Sequence, residues 1–578
     1  MSWKIIKRCR ERLARERGAV IKEPGGRLNI ALAYPNLYHL AMSNLGFQAA
    51  YGVANGLAAV VCERAFLPGP EEAADYAATG TPLVSLESQR PVRGFDVVAF
   101  SLCFENDYAG VLAVLELAGI EPLAARRPEH APLLLGGGVA AMLNPEPLAP
   151  FFDLFWIGEA EAGLAELLSR LAEARLSASP PSKAELLARL AQEVPGLYVP
   201  SLYRPEYGAD GRLVAFAPTG GAPERVRSQR LSDLSQAPAR SVVLTPEAEL
   251  GDMYLVEVAR GCGRGCRFCA AGYVYRPPRQ LSREAALGAV SQLEPGMRCG
   301  LVGAAVSDWP HAAHVGRAVV ERGGAVSVSS LRADSLSEGL LTALKQSGYK
   351  SVAIAPEAGS ERLRRVINKG LSEEEILEAA ERLAAAGAER LKLYFMIGLP
   401  TETARDIDEI IKLTKRVRHR LLLAAAPSGH MPRLALSVAS FVPKPHTPFQ
   451  WAPMEEVAVL KERLKVLERA LRRQGIEVSG DVPKYAYLQA VMARGDRRAA
   501  EFLAAHQRGG SWSRALRQVN LNPDFYARRQ REEDELFPWD FIDHGVRKDY
   551  LREEWRRALE GRESPRCQAD ICHRCGVC

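Results

Sequence analysis

Seven of the eleven cysteines in this 578-residue chain fall into two tight groups, and that grouping limits what the chain can become. Cys262, Cys266 and Cys269 form one group; Cys567, Cys572, Cys575 and Cys578 form the other, in the C-terminal segment. The remaining four, Cys9, Cys62, Cys103 and Cys299, are scattered. An odd total and such spacing argue against a disulfide framework and for metal or cluster ligation in a reduced compartment. The first group has the pattern C-x3-C-x2-C on a loop with Gly261, Gly263 and Gly265. Three thiolates on so short a loop reach three corners of an iron–sulfur cubane, the glycines letting the backbone wrap closely around it. A structural zinc wants a fourth ligand. A cubane held by three cysteines keeps one iron open to chemistry. The second group offers four thiolates within twelve residues, enough for tetrahedral zinc or a second [4Fe-4S] cluster.

The rest of the chain reads as a multidomain α/β protein. Its length gives three or four domains, and 47% apolar with 25% charged residues is a globular composition. A net charge of +6 over this length demands no nucleic-acid partner. With no apolar run of membrane-spanning length and no signal region after the basic start, the expectation is a cytoplasmic protein with no membrane association.

Short apolar runs at 28–33, 96–101, 132–135 and 154–157 alternate with helical periodicity, which predicts a doubly wound, Rossmann-like sheet over 28–176. It follows a basic extension at 1–27 and precedes a Pro/Gly-rich bridge at 177–245, in which Ser182 and Glu185 form a capping box. About six further βα units over 246–482 predict a partial (β/α) barrel with its active site at the strands' carboxyl ends. The three-cysteine loop follows the first of those strands. A charged helical region with the four-cysteine motif occupies 483–578.

The C-x3-C-x2-C loop, with Phe268 just before its last cysteine, resembles the signature of the radical S-adenosylmethionine (SAM) superfamily. The resemblance implies a [4Fe-4S] cluster whose open iron chelates SAM, a 5′-deoxyadenosyl radical formed by one-electron cleavage, and a reductant such as flavodoxin or ferredoxin. Three later segments are similar to the SAM-contacting strands: Gly300 to Ala305, with Gly303, although the Gly-Gly-Glu is absent; Ala355 to Ser360 followed by Ile367 to Gly370, where Glu357 takes the carboxylate's place; and Met396 to Thr403, with Gly398, similar to the G-L-P-x-E-T turn near the adenine. A doubly wound domain ahead of such a barrel resembles the cobalamin-binding class. Ser101 and the pair Gly136-Gly137 stand where that class lines the nucleotide tail, and Gly158-Glu159 with Glu161 is similar to its G-E-x-E end. The motif supplying a lower axial histidine is missing: Asn36, Tyr38 and His39 lack its spacing. Cobalamin bound without a protein histidine, a vestigial domain and a substrate-recognition domain all stay open. With Pro538-Trp539-Asp540, Asp543 to Val546 and the final Cys-Gly-Val-Cys, the whole chain resembles bacterial B12-binding-domain radical SAM proteins.

The implied activity is that of a radical SAM enzyme, with cobalamin-dependent methylation of an unreactive carbon as the leading subclass; no catalytic side chain is assigned. The rivals are a methylthio- or sulfur-inserting RNA-modifying enzyme and a non-enzymatic cluster-bearing binding protein. RNA is a candidate substrate through the basic N-terminus and the runs Arg494 to Arg498 and Arg528 to Arg531. Two smaller features are His311 with His314, at a helix start after Pro310, and the proline-rich segment Phe441 to Pro448 at the barrel's end.

Overall fold

The computed structural model describes residues 2–425, 431–569 and 571–578. The first sheet is built from β1 (Leu28–Leu37), β2 (Val60–Leu67), β3 (Val97–Ser101), β4 (Leu133–Gly137), β5 (Leu154–Trp156) and β6 (Leu197–Tyr198). Its order is β2-β1-β3-β4-β5-β6, all parallel except β6. The parallel part therefore has the doubly wound 2-1-3-4-5 arrangement, whose ligand site lies at the carboxyl ends where the order reverses, between β1 and β3.

β2 is the strand that the apolar pattern does not announce. Its centre carries Glu63 and Arg64, yet both are buried. Arg64 is enclosed by Glu16 at 2.5 Å and Glu87 at 2.6 Å, and Glu63 accepts from Ser85, Ser88 and Arg90. A buried charge is tolerated when it is paired and hydrogen-bonded, and these partners come from distant segments.

The bridge contains a hairpin, β7 (Tyr203–Tyr207) with β8 (Leu213–Pro218), and the short β9 (Val226–Arg227). The Ser182–Glu185 capping box forms as expected.

The barrel is two half-sheets. One has the order β11-β10-β12-β13, from β10 (Tyr254–Arg260), β11 (Arg279–Gln280), β12 (Arg298–Gly303) and β13 (Ala325–Val328). The other runs β14-β15-β16-β17, from β14 (Ser351–Glu357), β15 (Arg390–Ile397), β16 (Arg433–Ser440) and β17 (Glu477–Gly480). A single bridge, Leu331 to Ile354, joins the halves. The parallel strands β10, β12, β13, β14, β15 and β16 make the expected partial barrel, and β17 adds a seventh parallel strand beside β16. Its clearest helix, Glu373–Ala385, starts at the predicted Ser372–Glu375 box.

The C-terminal region is helical, with Pro483–Arg494, Ala500–Gly509 and Lys548–Leu559 its longest helices. Its one strand, β18 (Ile542–Asp543), pairs with β9. This region closes a second hydrophobic core that gathers the sequence motifs. Tyr273 from the cysteine loop, Ala358 and Ile367, Leu399, Phe441 and Phe449, Trp539, Trp555 and Cys575 pack together there.

Candidate active site

β10 delivers the three-cysteine loop at its carboxyl end. Gly261 has φ +78°, and a Cβ on it would stand 2.6 Å from the Tyr275 carbonyl oxygen. That position admits only glycine. Downstream, the Cys269 amide donates to the Cys266 carbonyl (3.1 Å) and the Arg267 amide to the Ile367 carbonyl (3.0 Å). Asn368 Nδ2 and the Tyr273 hydroxyl both donate to the Gly265 carbonyl. The loop is thus pinned to the segment holding the Asn368-Lys369-Gly370 motif.

Arg267 is fully buried inside this loop. Its guanidinium donates to Glu554, the carbonyls of Arg365, Val366 and Arg562, and Ser564 Oγ. The three thiols lie close enough that their charges oppose one another. Burial pushes Cys262 up and Cys269 up to about 12, with the Cys266 charge adding to both. A thiophilic cation would relieve this, because only the thiolate ligates. Among the described residues, no three His, Cys, Asp or Glu side chains are already closed into a metal-binding set. The donor chemistry of the loop nevertheless fits a cubane: three thiols, glycine-permitted wrapping, and a backbone held from outside.

Glu357, at the end of β14, has φ +67° and accepts from Lys369 Nζ at 3.1 Å; the Lys369 charge is also felt at Cys269. The described non-glycine residues with left-handed backbone are Gln89, Glu357, Asn368, Thr401 and His446. All but Gln89 lie in motifs singled out from the sequence, and such strain concentrates at functional sites. Gly398 has φ +81°; its amide donates to Glu402 at 2.8 Å, and a Cβ there would meet Leu460 at 2.7 Å.

A cavity of about 810 Å³ opens between the first sheet and the barrel. Ser101, Gly136, Gly137 and Gly303 line it together, with Cys103, Tyr275 and residues 327–329 of the barrel. Glu357 and Gly398 stand outside that lining. The two glycines of the pair differ. A Cβ on Gly136 would strike the Phe155 ring at 2.4 Å, whereas one on Gly137 would meet nothing closer than 3.8 Å. Ser101 Oγ faces Cys103 Sγ at 3.6 Å.

The G-E-x-E end of the first domain holds the barrel. Arg260 reaches Glu159 (2.8 Å), Glu161 (2.9 Å) and Glu257 (2.5 Å), and Arg279 reaches Glu159 at 2.6 Å. The cavity lining contains no histidine. His39 lies in a separate hollow, 3.8 Å from Glu249.

The tail cysteines come beside the loop. The Cys567 amide donates to the Gly263 carbonyl at 2.7 Å, and burial pushes the Cys567 thiol up, with the charges of Cys575, Cys572 and Cys578 adding to the rise and Arg276 opposing it. His311 stands at the N-cap position of its helix without a side-chain capping bond, and His314 is exposed. The basic segments bond internally: Lys4 and Arg8 to Asp75, Arg12 to Glu72 and Glu247, Arg17 to Glu294, Arg497 to Glu146, Arg498 to Asp496 and Arg529 to Glu535. Arg267, Arg260 and the buried Arg276 are site positions that sequence reasoning passed over, whereas Lys369 lies in the motif it singled out. Lone cations carry no spacing pattern, and only the place of Arg267 inside the cysteine loop was a signal.

A three-thiol loop at the mouth of a partial (β/α) barrel, with a doubly wound domain docked over it, defines the class. Residues 256–414 match the family model "Radical SAM superfamily", and residues 46–200 match "Radical SAM proteins, N-terminal". The two matches span more than half of the chain, which belongs to the radical SAM superfamily and is an enzyme of that kind. Membership implies SAM, a [4Fe-4S] cluster and a source of electrons. "Uncharacterized protein MJ0966" of Methanocaldococcus jannaschii is 28% identical over 504 residues, 86% of this chain and 96% of the relative. Similar solved structures include OxsB, a cobalamin-dependent SAM radical enzyme with aqua-cobalamin bound (13% identity, TM-score 0.45, covering 83% of this chain). This chain spans 66% of that structure's length, just under two thirds. Another is the radical SAM methyltransferase TsrM from Kitasatospora setae with cobalamin and a [4Fe-4S] cluster bound (14% identity, TM-score 0.44, 71% of this chain and 75% of that one). Among the described residues no helix is long and apolar enough to cross a membrane.

Proposed function

We propose that the chain is a cobalamin-dependent radical SAM methylating enzyme acting on an unreactive carbon. The observation that carries this reading is the shared cavity. The carboxyl ends of β3 and β4, on the side where a doubly wound sheet binds its ligand, together with Leu32 of β1, Ser43 to Gly46 beyond it and the first barrel strands, open into one space beside the cysteine loop. Its volume of about 810 Å³ is at the upper end of ordinary cofactor pockets.

In this reading Cys262, Cys266 and Cys269 hold the [4Fe-4S] cluster, and Gly303 and Glu357 help seat SAM, while Gly398 shapes the turn on the adenine side. Ser101, Gly136 and Gly137 would line the cobalamin side, in a cavity whose lining holds no histidine. When bound, the cluster and SAM supply one-electron cleavage of a sulfonium, and cobalamin supplies a carried methyl group. The protein's own residues position and enclose: Arg260 locks the two domains across the cavity, and Lys369 orients the Glu357 carboxylate. Domain limits of 28–176, 177–245, 246–482 and 483–578 suit this division of labour. The tail quartet Cys567, Cys572, Cys575 and Cys578 is a second metal-binding set. A flavodoxin or ferredoxin is the reductant, and the cytoplasm the compartment that keeps the thiols reduced.

RNA is the weaker candidate substrate, because the basic segments that suggested it are bonded to the protein's own carboxylates. The test is anaerobic reconstitution with SAM and reductant. Wild type should release 5′-deoxyadenosine and take up one equivalent of cobalamin; replacing all three loop cysteines with alanine should abolish the release. Deoxyadenosine release by that variant would overturn the cluster assignment, and wild-type protein indifferent to cobalamin would overturn the subclass.

A further inference from the structure

Of the cations beside the tail cysteines, Arg574 pairs with Glu554 and Arg566 with Asp334, whereas Arg276 and Arg230 form no ion pair with a carboxylate among the described residues. Arg276 is 3% exposed and forms no ion pair with a carboxylate among the described residues. Its Nε donates to the Gly272 carbonyl, its plane lies over Tyr273 and Tyr550, and its remaining side-chain donors are directed to Tyr550 and Cys575. Half-buried Arg230 also forms no ion pair with a carboxylate among the described residues, although the Glu159 charge reaches it; it donates to the Arg276 carbonyl at 2.5 Å and acts on Cys578. A buried guanidinium requires a compensating anion. Four thiolates around a divalent centre carry a net charge of −2, which matches two arginines; four neutral thiols carry none.

The same tail is fastened to the backbone of the SAM-cluster loop. Cys567 bonds to Gly263 through its amide, and a Cβ on Gly263 would lie 3.2 Å from the Cys567 carbonyl oxygen. Asn368 spans the two segments, donating to the Gly265 carbonyl and accepting from the Ser564 amide (2.9 Å). Arg267, between Cys266 and Cys269, reaches Arg562 and Ser564. At its other end the tail is held by the Arg547 amide on the Cys575 carbonyl (2.9 Å), and Cys575 is buried in the second core.

We propose that Cys567, Cys572, Cys575 and Cys578 bind one thiophilic metal centre, and that this centre is a clasp fixing the loop of Cys262, Cys266 and Cys269. The clasp rests on the reading of the tail as a metal set, and it makes the order of the SAM-cluster loop depend on a second centre. Tetrathiolate zinc and a four-cysteine iron–sulfur cluster share the required chemistry and charge.

The experiment uses the full chain, purified without oxygen, with metal and sulfide analysis and amide deuterium exchange over residues 262–276. In a variant with all three loop cysteines replaced by alanine, the tail centre should remain as the sole bound iron or zinc, any cobalt being counted apart as cobalamin; zinc without sulfide identifies a tetrathiolate ion, iron with sulfide a cluster. In Cys572→Ser/Cys578→Ser the tail metal should be lost, and loop amides should exchange at least about tenfold faster than in wild type. No metal in the loop variant, retention of all metal in the tail variant, or tail metal lost with loop exchange unchanged would each overturn the proposal. Deoxyadenosine release by wild type is read separately, so failure of the clasp is distinguishable from failure of the enzymatic assignment.

Discussion

The imidazoles of His446 and His544 meet edge to face in the interior, their ring centroids 4.5 Å apart. One comes from the proline-rich segment after β16, the other from the Asp543 to Val546 segment, so two distant motifs converge. His544 Nε2 is 2.9 Å from the Met142 carbonyl, which makes it the donor in the neutral ring, while His544 Nδ1 and His446 Nε2 are buried without a hydrogen-bond partner among the described residues. Burial drives His446 well below the ordinary histidine range, with the His544 ring, Lys548 and Arg225 opposing a further charge. It lowers His544 to about 4, and Arg230 adds to this while the Met142 carbonyl and Asp543 work against it.

Both rings are therefore neutral in the fold, and the unfolded chain binds protons first. Their contribution is complete above an unfolded pKa of about 6.5 and is lost progressively as pH falls toward 4. The His544 shift corresponds to about 3 kcal/mol at the lower end of that window. Denaturant midpoints should fall steeply between pH 7 and pH 5. In His544→Gln, whose amide keeps a donor for Met142, the fall should be shallower; an unchanged slope would show that this ring does not titrate with unfolding.

Arg260 is the pin between the first domain and the barrel. Burial raises the Glu257 carboxyl, and Arg260 counteracts that rise. Arg260→Ala would leave Glu159, Glu161 and Glu257 facing one another in a half-closed cavity, and breaking such a buried network costs about 3–5 kcal/mol. Thermal unfolding should shift down accordingly. Adding Glu257→Gln should recover part of the loss, since one uncompensated charge is removed.

Legibility in the sequence followed the range of the interactions involved. Local signals translated directly: the Ser182 and Ser372 boxes, the apolar strands and the glycine-rich cysteine loop each depend on neighbours within a few residues. β2 escaped because Glu63 and Arg64 look solvated until Glu16, Glu87 and Arg90 arrive from elsewhere in the chain. The basic runs read as open charge for a related reason, since a carboxylate such as Glu146, which holds Arg497, lies far away in sequence, although Asp496 and Glu535 are near at hand. Spacing identified the tail cysteines as possible ligands, but nothing in it told of their contact with Gly263, which depends on how the last helix packs.

The pair Gly136-Gly137 looks uniform in sequence and is not in structure. Gly136→Ala would drive a methyl into Phe155, an overpacking cost of about 1–3 kcal/mol. Gly137→Ala projects into open space beside the cavity and should leave the melting temperature within a degree or two. If cobalamin lies against this strand end, Gly137→Ala should weaken its uptake at least about tenfold in anaerobic titration, a loss of roughly 1.4 kcal/mol of binding. Unaltered uptake would move the cofactor away from Gly137.

Glu357 separates stability from activity most sharply. Its left-handed backbone, φ +67°, costs a side-chain-bearing residue roughly 1–2 kcal/mol relative to glycine. Its ion pair with Lys369, largely shielded from solvent, works in the opposite direction. Glu357→Gly removes both and should leave the unfolding midpoint nearly unchanged or slightly raised. Deoxyadenosine release should nevertheless fall by more than tenfold, because the carboxylate proposed to seat SAM is gone. Glu357→Gln, which keeps the strain and removes the charge, should lose both stability and turnover. If Glu357→Gly instead melts much earlier with turnover per folded molecule intact, the residue serves the fold and the SAM-seating role belongs elsewhere on the barrel rim.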